Sequence, residues 1–99
     1  MNYKIGDKVN LAPTTPLIIT NILAGSTRIE VKSPQIGDII VTKPTAKSKC
    51  DSPIGDRLGI IEEDSLIFKD CYIVRWVRHL YTYQTFHDAY NVVHPSQFV

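Results

Sequence analysis

Apolar residues in this chain follow a period of two or come in short β-branched runs. Nowhere do they recur at i, i+3, i+4 and i+7 through a capped segment of helical length. A period of two places alternate side chains on one buried face of a sheet, so the pattern predicts an all-β fold. Only TFHDAY at 85–90 leaves room for a short helical turn. The candidate strands are KVNL (8–11), LIITNIL (17–23), RIEVK (28–32), DIIVT (38–42), RLGIIEE (57–63), LIF (66–68), CYIVRWVRHLYTY (71–83) and YNVV (90–93).

The tripeptide Ile-Gly-Asp occurs three times, at 5–7, 36–38 and 54–56, each time before an apolar run. Glycine adopts positive φ readily, and the Asp after it can bond backbone amides. Each copy therefore predicts a turn that leads into a strand, with its Ile closing one end of the core. The copies lie 31 and 18 residues apart. Unequal spacing favours recurrent turn chemistry, with a duplicated half-domain as the alternative.

The length of 99 residues predicts one domain that spans the whole chain. Hydrophobic residues make up 43% and charged residues 21% of it, a balance typical of globular proteins and not of disordered or fibrous ones. The net charge of +1 does not indicate a strongly charged partner.

Charge is nevertheless distributed unevenly. Residues 1–49 carry seven Lys or Arg against three Asp or Glu, whereas residues 50–99 carry four against seven. Lys43, Lys47 and Lys49 share one loop-like stretch, and the acidic residues 62–64 share one turn. The lysines are compatible with two interpretations, a solvated loop or a small anion-binding loop.

The only two cysteines, Cys50 and Cys71, form no Cys-x-x-Cys pair. Neither a zinc site nor a secreted disulfide scaffold is indicated. The first ten residues lack the apolar core of a signal peptide, and no apolar run is long enough to cross a bilayer. We therefore expect a cytoplasmic protein with reduced thiols and no membrane partner.

Signatures of catalysis and of cofactor binding do not rise above background. His79, His87 and His94 lack metal-ligand spacing, and the glycines at 55–59 lack the Lys-Ser/Thr ending of a phosphate loop. Cys50 lies among lysines, but a reactive thiol without a placed histidine is not a catalytic site. The expectation is a non-enzymatic protein without metal or cofactor.

The segment 71–86 is the most informative part of the chain. Alternation places Tyr72, Val74 and Trp76 on one face and Ile73, Arg75 and Val77 on the other, so neither face is purely polar. Such a strand is usually central and bent, with one face in a barrel core and the other partly covered. LIITNIL is the segment predicted to cover it.

The order of these features resembles an SH3-like barrel of the KOW, Tudor and CarD kind. The resemblance rests on IGDIIVT at 36–42, GDRLGIIEE at 55–63, CYIVRW at 71–76 and the ending YNVVHPSQFV at 90–99. It covers residues 35–99 and implies a small, partly open barrel that a terminal apolar residue seals. Short proteins of this arrangement are frequent in bacteriophage genomes, so a phage-encoded protein is expected.

Residues 1–34 fall outside the resemblance. They are predicted to form an N-terminal β-hairpin extension of the barrel, with an incomplete second barrel as the alternative. The predicted fold is thus a small SH3-like, partly open, all-β barrel (35–99) with this extension. Its unpaired edge strands would permit a homodimer.

A protein-interaction module is the first functional hypothesis, for instance a phage factor that binds and modulates a host protein. Its predicted anchors are Trp76, Arg78, Tyr81 and Tyr83, since aromatic residues and Arg dominate protein interfaces. For Trp76 the alternative is a place in the core together with Val74 and Tyr72.

A nucleic-acid-associated module of the KOW or Tudor kind is the second hypothesis. It would use Lys43, Lys47, Lys49, Arg75 and Arg78. The acidic turn at 62–64 departs from the basic loops of such modules and opposes contact there. A structural subunit of a larger complex is the third hypothesis.

Overall fold

Six strands form in the part of the chain that the computed structural model describes, which is residues 3–12, 15–20, 22, 34–79 and 89–99. They confirm the all-β prediction, and two of them have the predicted bounds, 8–11 and 90–93. No helix in this part is long and apolar enough to span a membrane. The elements are β1 (Lys8–Leu11), β2 (Thr15–Ile18), β3 (Ile39–Val41), β4 (Leu58–Asp64), β5 (Tyr72–His79), β6 (Tyr90–Val93) and a 3₁₀ turn (Pro95–Gln97).

β5 organises the sheet. The strand order is β2-β1-β5-β4-β3, all neighbours are antiparallel, and β6 also pairs with β5. One edge of β5 therefore serves two partners, β6 along 72–75 and β1 along 77–79. The change of partner occurs at Trp76, whose N–H donates to the Ala89 carbonyl (3.0 Å) while its carbonyl accepts from Ala12 N–H (2.8 Å). The predicted central role of this strand is confirmed.

The C-terminus returns to β3. Thr42 bridges to Phe98, and Val99 N–H donates to the Val41 carbonyl at 2.8 Å. Phe98 is buried, so an aromatic residue seals this end of the core. The result is the small, partly open all-β barrel that was predicted.

Two cores lie on the two faces of the sheet. In β3, Ile40 belongs to the inner core, whereas Ile39 and Val41 belong to the outer core. The inner core comprises Ile40, Ala46, Ile54, Ile61, Val74, Trp76, Val93 and Phe98. The outer core comprises Val9, Leu11, Ile19, Ile39, Val41, Leu58 and Val77. This second core explains why β5 carries apolar residues on both faces.

An N-terminal hairpin supplies one wall of the outer core. It consists of β1 and β2, and Leu17, Ile19 and Ile22 of LIITNIL pack there, as predicted for the covering segment. RIEVK at 28–32 and most of the helical turn predicted at 85–90 lie outside the described residues.

Two strand predictions are corrected. Of the described residues of LIITNIL, only 17 and 18 lie in a strand, because β2 is Thr15–Ile18. The prediction of a strand at LIF is wrong. LIF at 66–68 belongs to the turn between β4 and β5 and pairs with no strand. The Ser65 hydroxyl oxygen accepts hydrogen bonds from the amides of Ile67 (3.3 Å) and Phe68 (3.0 Å). These bonds hold the segment in a compact turn.

The first two Ile-Gly-Asp copies form the same turn. Gly6 and Gly37 have φ of 92° and 93°. In both turns the Asp carboxylate accepts the amide three residues earlier at 2.8 Å. The glycine amide of each turn donates to the carbonyl of an isoleucine, Ile19 or Ile61, at 2.7 Å. Both turns therefore lead into a strand and pair it with the next one.

The isoleucines of these copies only partly follow the prediction. Ile54 is buried in the inner core, but Ile5 and Ile36 are 67% and 61% exposed, so they close no core. The third copy follows Pro53, which has no N–H for an Asp to bind. The residue before the tripeptide therefore decides whether the hydrogen bond between its amide and the Asp carboxylate can form.

Thr42 joins β3 to the segment before β4, and its replacement by valine should destabilise the protein. The buried hydroxyl donates to the Gly55 carbonyl (2.6 Å) and accepts from Arg57 N–H (3.0 Å). Thr42→Val keeps the shape but leaves both groups without this partner, at a cost of about 2 kcal/mol in unfolding free energy. Urea unfolding measures it. Thr42→Ser keeps the hydroxyl and should cost about 1 kcal/mol; a valine variant as stable as wild type would contradict the prediction.

Candidate binding surfaces

Trp76, a predicted anchor for a partner, lies in the inner core. It is fully buried, its indole N–H donates to Asn91 Oδ1 (2.8 Å), and the Arg57 guanidinium lies 5.3 Å from the ring centroid. Val74 is buried beside it, and Tyr72 packs against the same core. The core alternative therefore applies, and Trp76 presents no surface to a partner.

Arg75, predicted to contact nucleic acid, fastens the N-terminal hairpin to the barrel. Its guanidinium donates to the Ala12 carbonyl (2.9 Å), the Thr15 hydroxyl (3.0 Å) and Glu62 Oε1 (3.2 Å). Its side chain is partly buried. Because these hydrogen bonds join the guanidinium to groups of the protein itself, Arg75 is not part of an exposed basic surface.

The remaining predicted contact residues are Arg78, Tyr81 and Tyr83, and they do not form a common surface in the described part of the chain. Arg78 lies half-buried opposite Asn10 of β1. Tyr81 and Tyr83 lie outside the described residues. Their role as anchors stays a prediction.

A polar cavity of about 370 Å³ lies between the β3–β4 loop (residues 42–57) and the 3₁₀ turn. Two of the three predicted loop lysines, Lys47 and Lys49, line it, whereas Lys43 is exposed outside it. We call it the basic cavity; its walls include Thr45, Lys47, Lys49, Asp51, His94 and Ser96. The histidine was not predicted to meet the lysines, because only the C-terminal return brings them together.

An apolar surface missed by the sequence analysis lies at the turn between β4 and β5. Leu66 is 98% and Ile67 86% exposed; we call this pair the apolar tip. Beside it is a cleft of about 260 Å³, the tip cleft, lined by both tip residues and by Glu63, Asp64, Ser65, Phe68, Ile73 and Val92. The sequence feature that could have indicated this surface is the shortness of LIF, which has turn-forming residues on both sides.

Metal ligands do not cluster in the described part of the chain, where no group of three His, Cys, Asp or Glu could hold an ion. Cys50 is exposed, Cys71 is buried, and neither forms a disulfide.

In comparisons with protein-family models, with curated proteins and with solved structures, nothing matches this chain.

Proposed function

We propose that this protein acts by binding another protein, and that the apolar tip and the tip cleft form its docking surface. The observation that carries the proposal is the near-complete exposure of two adjacent aliphatic side chains, Leu66 and Ile67. Contiguous exposed apolar surface is a mark of interaction sites. Burial of one such side chain is worth about 1.5–3 kcal/mol, so the tip alone supplies a strong anchor.

The turn that carries the tip is held in shape before any partner arrives. Ser65 accepts two amides through its hydroxyl oxygen, and its own N–H donates to the Cys71 carbonyl at 3.0 Å. Cys71 is buried and closes the turn at its other end. A rigid anchor loses little conformational entropy on binding, which favours affinity.

The charge around the tip indicates the chemistry of the partner. Residues 63–70 carry three carboxylates and one lysine, and Glu63 and Asp64, which line the tip cleft, are exposed. A complementary surface would place an aliphatic or aromatic side chain in the tip cleft and Lys or Arg opposite the acidic residues. The partner we propose is therefore a protein segment with apolar anchors flanked by basic residues.

Replacement of the tip by serines should abolish strong binding without unfolding the protein. Leu66→Ser with Ile67→Ser removes exposed side chains, so we expect unchanged unfolding and an affinity at least about 30-fold lower, equivalent to about 2 kcal/mol. The matched control is Ile5→Ser with Ile36→Ser, which removes two exposed isoleucines from other turns. Partners are captured from bacterial lysate with and without nuclease, at low and at high salt. Captured proteins are identified by mass spectrometry, and their affinities are measured by calorimetry.

The outcomes of this experiment separate the hypotheses. A protein bound by wild type and by the control, but not by the tip variant, supports the proposal. Equal binding by all three proteins overturns the tip as the docking surface. Recovery of nucleic acid that is lost with nuclease or salt would instead favour the second hypothesis and the loop lysines.

A further inference from the structure

We infer that the basic cavity binds a small phosphorylated molecule, with Lys47 and Lys49 as the contacts to its phosphate group. The inference is independent of the docking surface, because the basic cavity and the tip cleft share no lining residue.

The backbone places the two lysines side by side. Ala46 and Ser48 are buried, whereas Lys47 and Lys49 are exposed, which is the alternation of an extended segment. The two lysine side chains therefore lie on one face of the loop. Within the described residues, no ion pair or hydrogen bond engages either ammonium group.

Hydrogen bonds fix this loop against the C-terminal segment. Lys47 N–H donates to Gln97 Oε1 at 3.0 Å, and Lys43 N–H donates to the Gln97 carbonyl at 2.8 Å. Lys49 N–H donates to the Val92 carbonyl at 2.8 Å. The walls of the basic cavity are thus held by hydrogen bonds to the C-terminal segment, so a ligand would bind between walls that are already connected.

His94 adds a donor. Its Nδ1 accepts the amide of Ser96 at 3.1 Å, so the neutral imidazole carries its proton on Nε2. His94 and Thr45 line the basic cavity together with the two lysines, so their Nε2–H and hydroxyl groups add donors to the two ammonium groups. Donors of this kind are the groups that bind phosphate oxygens.

Asp51 narrows the ligand class. Asp51 is also among the residues that line the basic cavity, and a carboxylate there repels a bare anion. A ligand with hydroxyl groups beside its phosphate could donate to this carboxylate, and a volume of about 370 Å³ has room for more than a phosphate ion. The class is therefore a phosphate monoester of a hydroxyl-bearing molecule, such as a sugar phosphate or a mononucleotide.

The test is an NMR titration of the full chain with ribose 5-phosphate, inorganic phosphate and ribose in separate arms. We expect saturable shifts at the amides of residues 45–51 and of His94, Ser96 and Gln97, with ribose 5-phosphate the tightest ligand and ribose without effect. Lys47→Gln with Lys49→Gln should weaken binding at least 10-fold. The control Lys4→Gln with Lys69→Gln removes the same charge from exposed positions elsewhere and should leave the affinity unchanged.

Asp51→Asn gives a second readout. Asn tolerates the φ of 67° at this position, so the loop should keep its shape. Inorganic phosphate should then bind more tightly, and the preference for ribose 5-phosphate over phosphate should shrink.

Three results would overturn the inference. They are the absence of saturable shifts, shifts that saturate outside the cavity walls, and equal weakening by the two lysine pairs, which would indicate general electrostatic attraction. A fourth arm contains a single-stranded oligonucleotide. Tighter binding there than to ribose 5-phosphate, with shifts that extend to Lys43, would assign the loop to nucleic acid instead.

Discussion

Replacement of Gly59 by alanine is expected to destabilise the protein by about 3 kcal/mol or more. Gly59 is buried in β4 directly opposite Trp76. A Cβ atom at this position would lie 2.5 Å from Val74 Cγ1, 2.9 Å from the Arg75 carbonyl oxygen and 2.9 Å from Trp76 Cε3. The carbonyl belongs to the backbone of β5, so it cannot retreat without disturbing the centre of the sheet. Urea unfolding followed by the fluorescence of the single tryptophan measures the loss.

Gly37→Ala is the matched control. Gly37 is required for its backbone conformation, whereas an added side chain would have room there. Gly37 has φ of 93°, and an added Cβ would meet nothing within 4 Å. The expected cost is about 1 kcal/mol, from the left-handed backbone alone. Equal losses in the two variants would show that close packing at Gly59 is not the reason for its identity.

The strands were largely predictable because their signal is local. Alternation of apolar residues and the turn residues between them indicated 8–11 and 90–93 with the observed bounds. LIF at 66–68 carries the same local signal, but a strand also needs a partner, and β4 and β5 already pair with each other around it. Pairing is a long-range property, so a three-residue apolar run could not reveal it.

The role of each side chain of β5 was harder to predict. Alternation correctly grouped Val74 with Trp76 and indicated a covered second face, but it left open whether Trp76 lies in the core or contacts a partner. Both faces of β5 carry core residues because the N-terminal hairpin covers the outer core. Arg75 is engaged for the same reason, since its partners Ala12 and Thr15 belong to that hairpin region.

Only the lysine side of the basic cavity could be predicted from the sequence. The alternation of Ala46, Lys47, Ser48 and Lys49 is visible in the sequence, and it is what puts the lysines on one face. His94 joins them because the chain returns to β3 at its C-terminus and bonds the loop there. That return is a long-range contact between Thr42 and Phe98, which the local pattern of the loop does not encode.

Trp76→Ala is expected to cost about 4 kcal/mol, the range found when a large buried aromatic residue is truncated. The indole fills the inner core, donates to Asn91 and packs under the Arg57 guanidinium, so its loss leaves both a cavity and an unpaired side-chain oxygen. Trp76→Phe keeps a ring but loses the N–H, and should cost about 2 kcal/mol. Calorimetric melting measures both variants without the need for tryptophan fluorescence.

The same pair of variants separates a core role for Trp76 from the contact role that the sequence first indicated. A core residue gives a graded loss of stability, with alanine worse than phenylalanine, and any loss of partner binding follows unfolding. A contact residue gives the opposite result, a melting temperature within the error of wild type together with weakened binding. If Trp76→Ala had the same melting temperature as wild type, the tryptophan would have to lie at the surface, and its assignment to the inner core would be wrong. Because the indole is fully buried and donates a hydrogen bond to Asn91 of β6, we expect the graded loss.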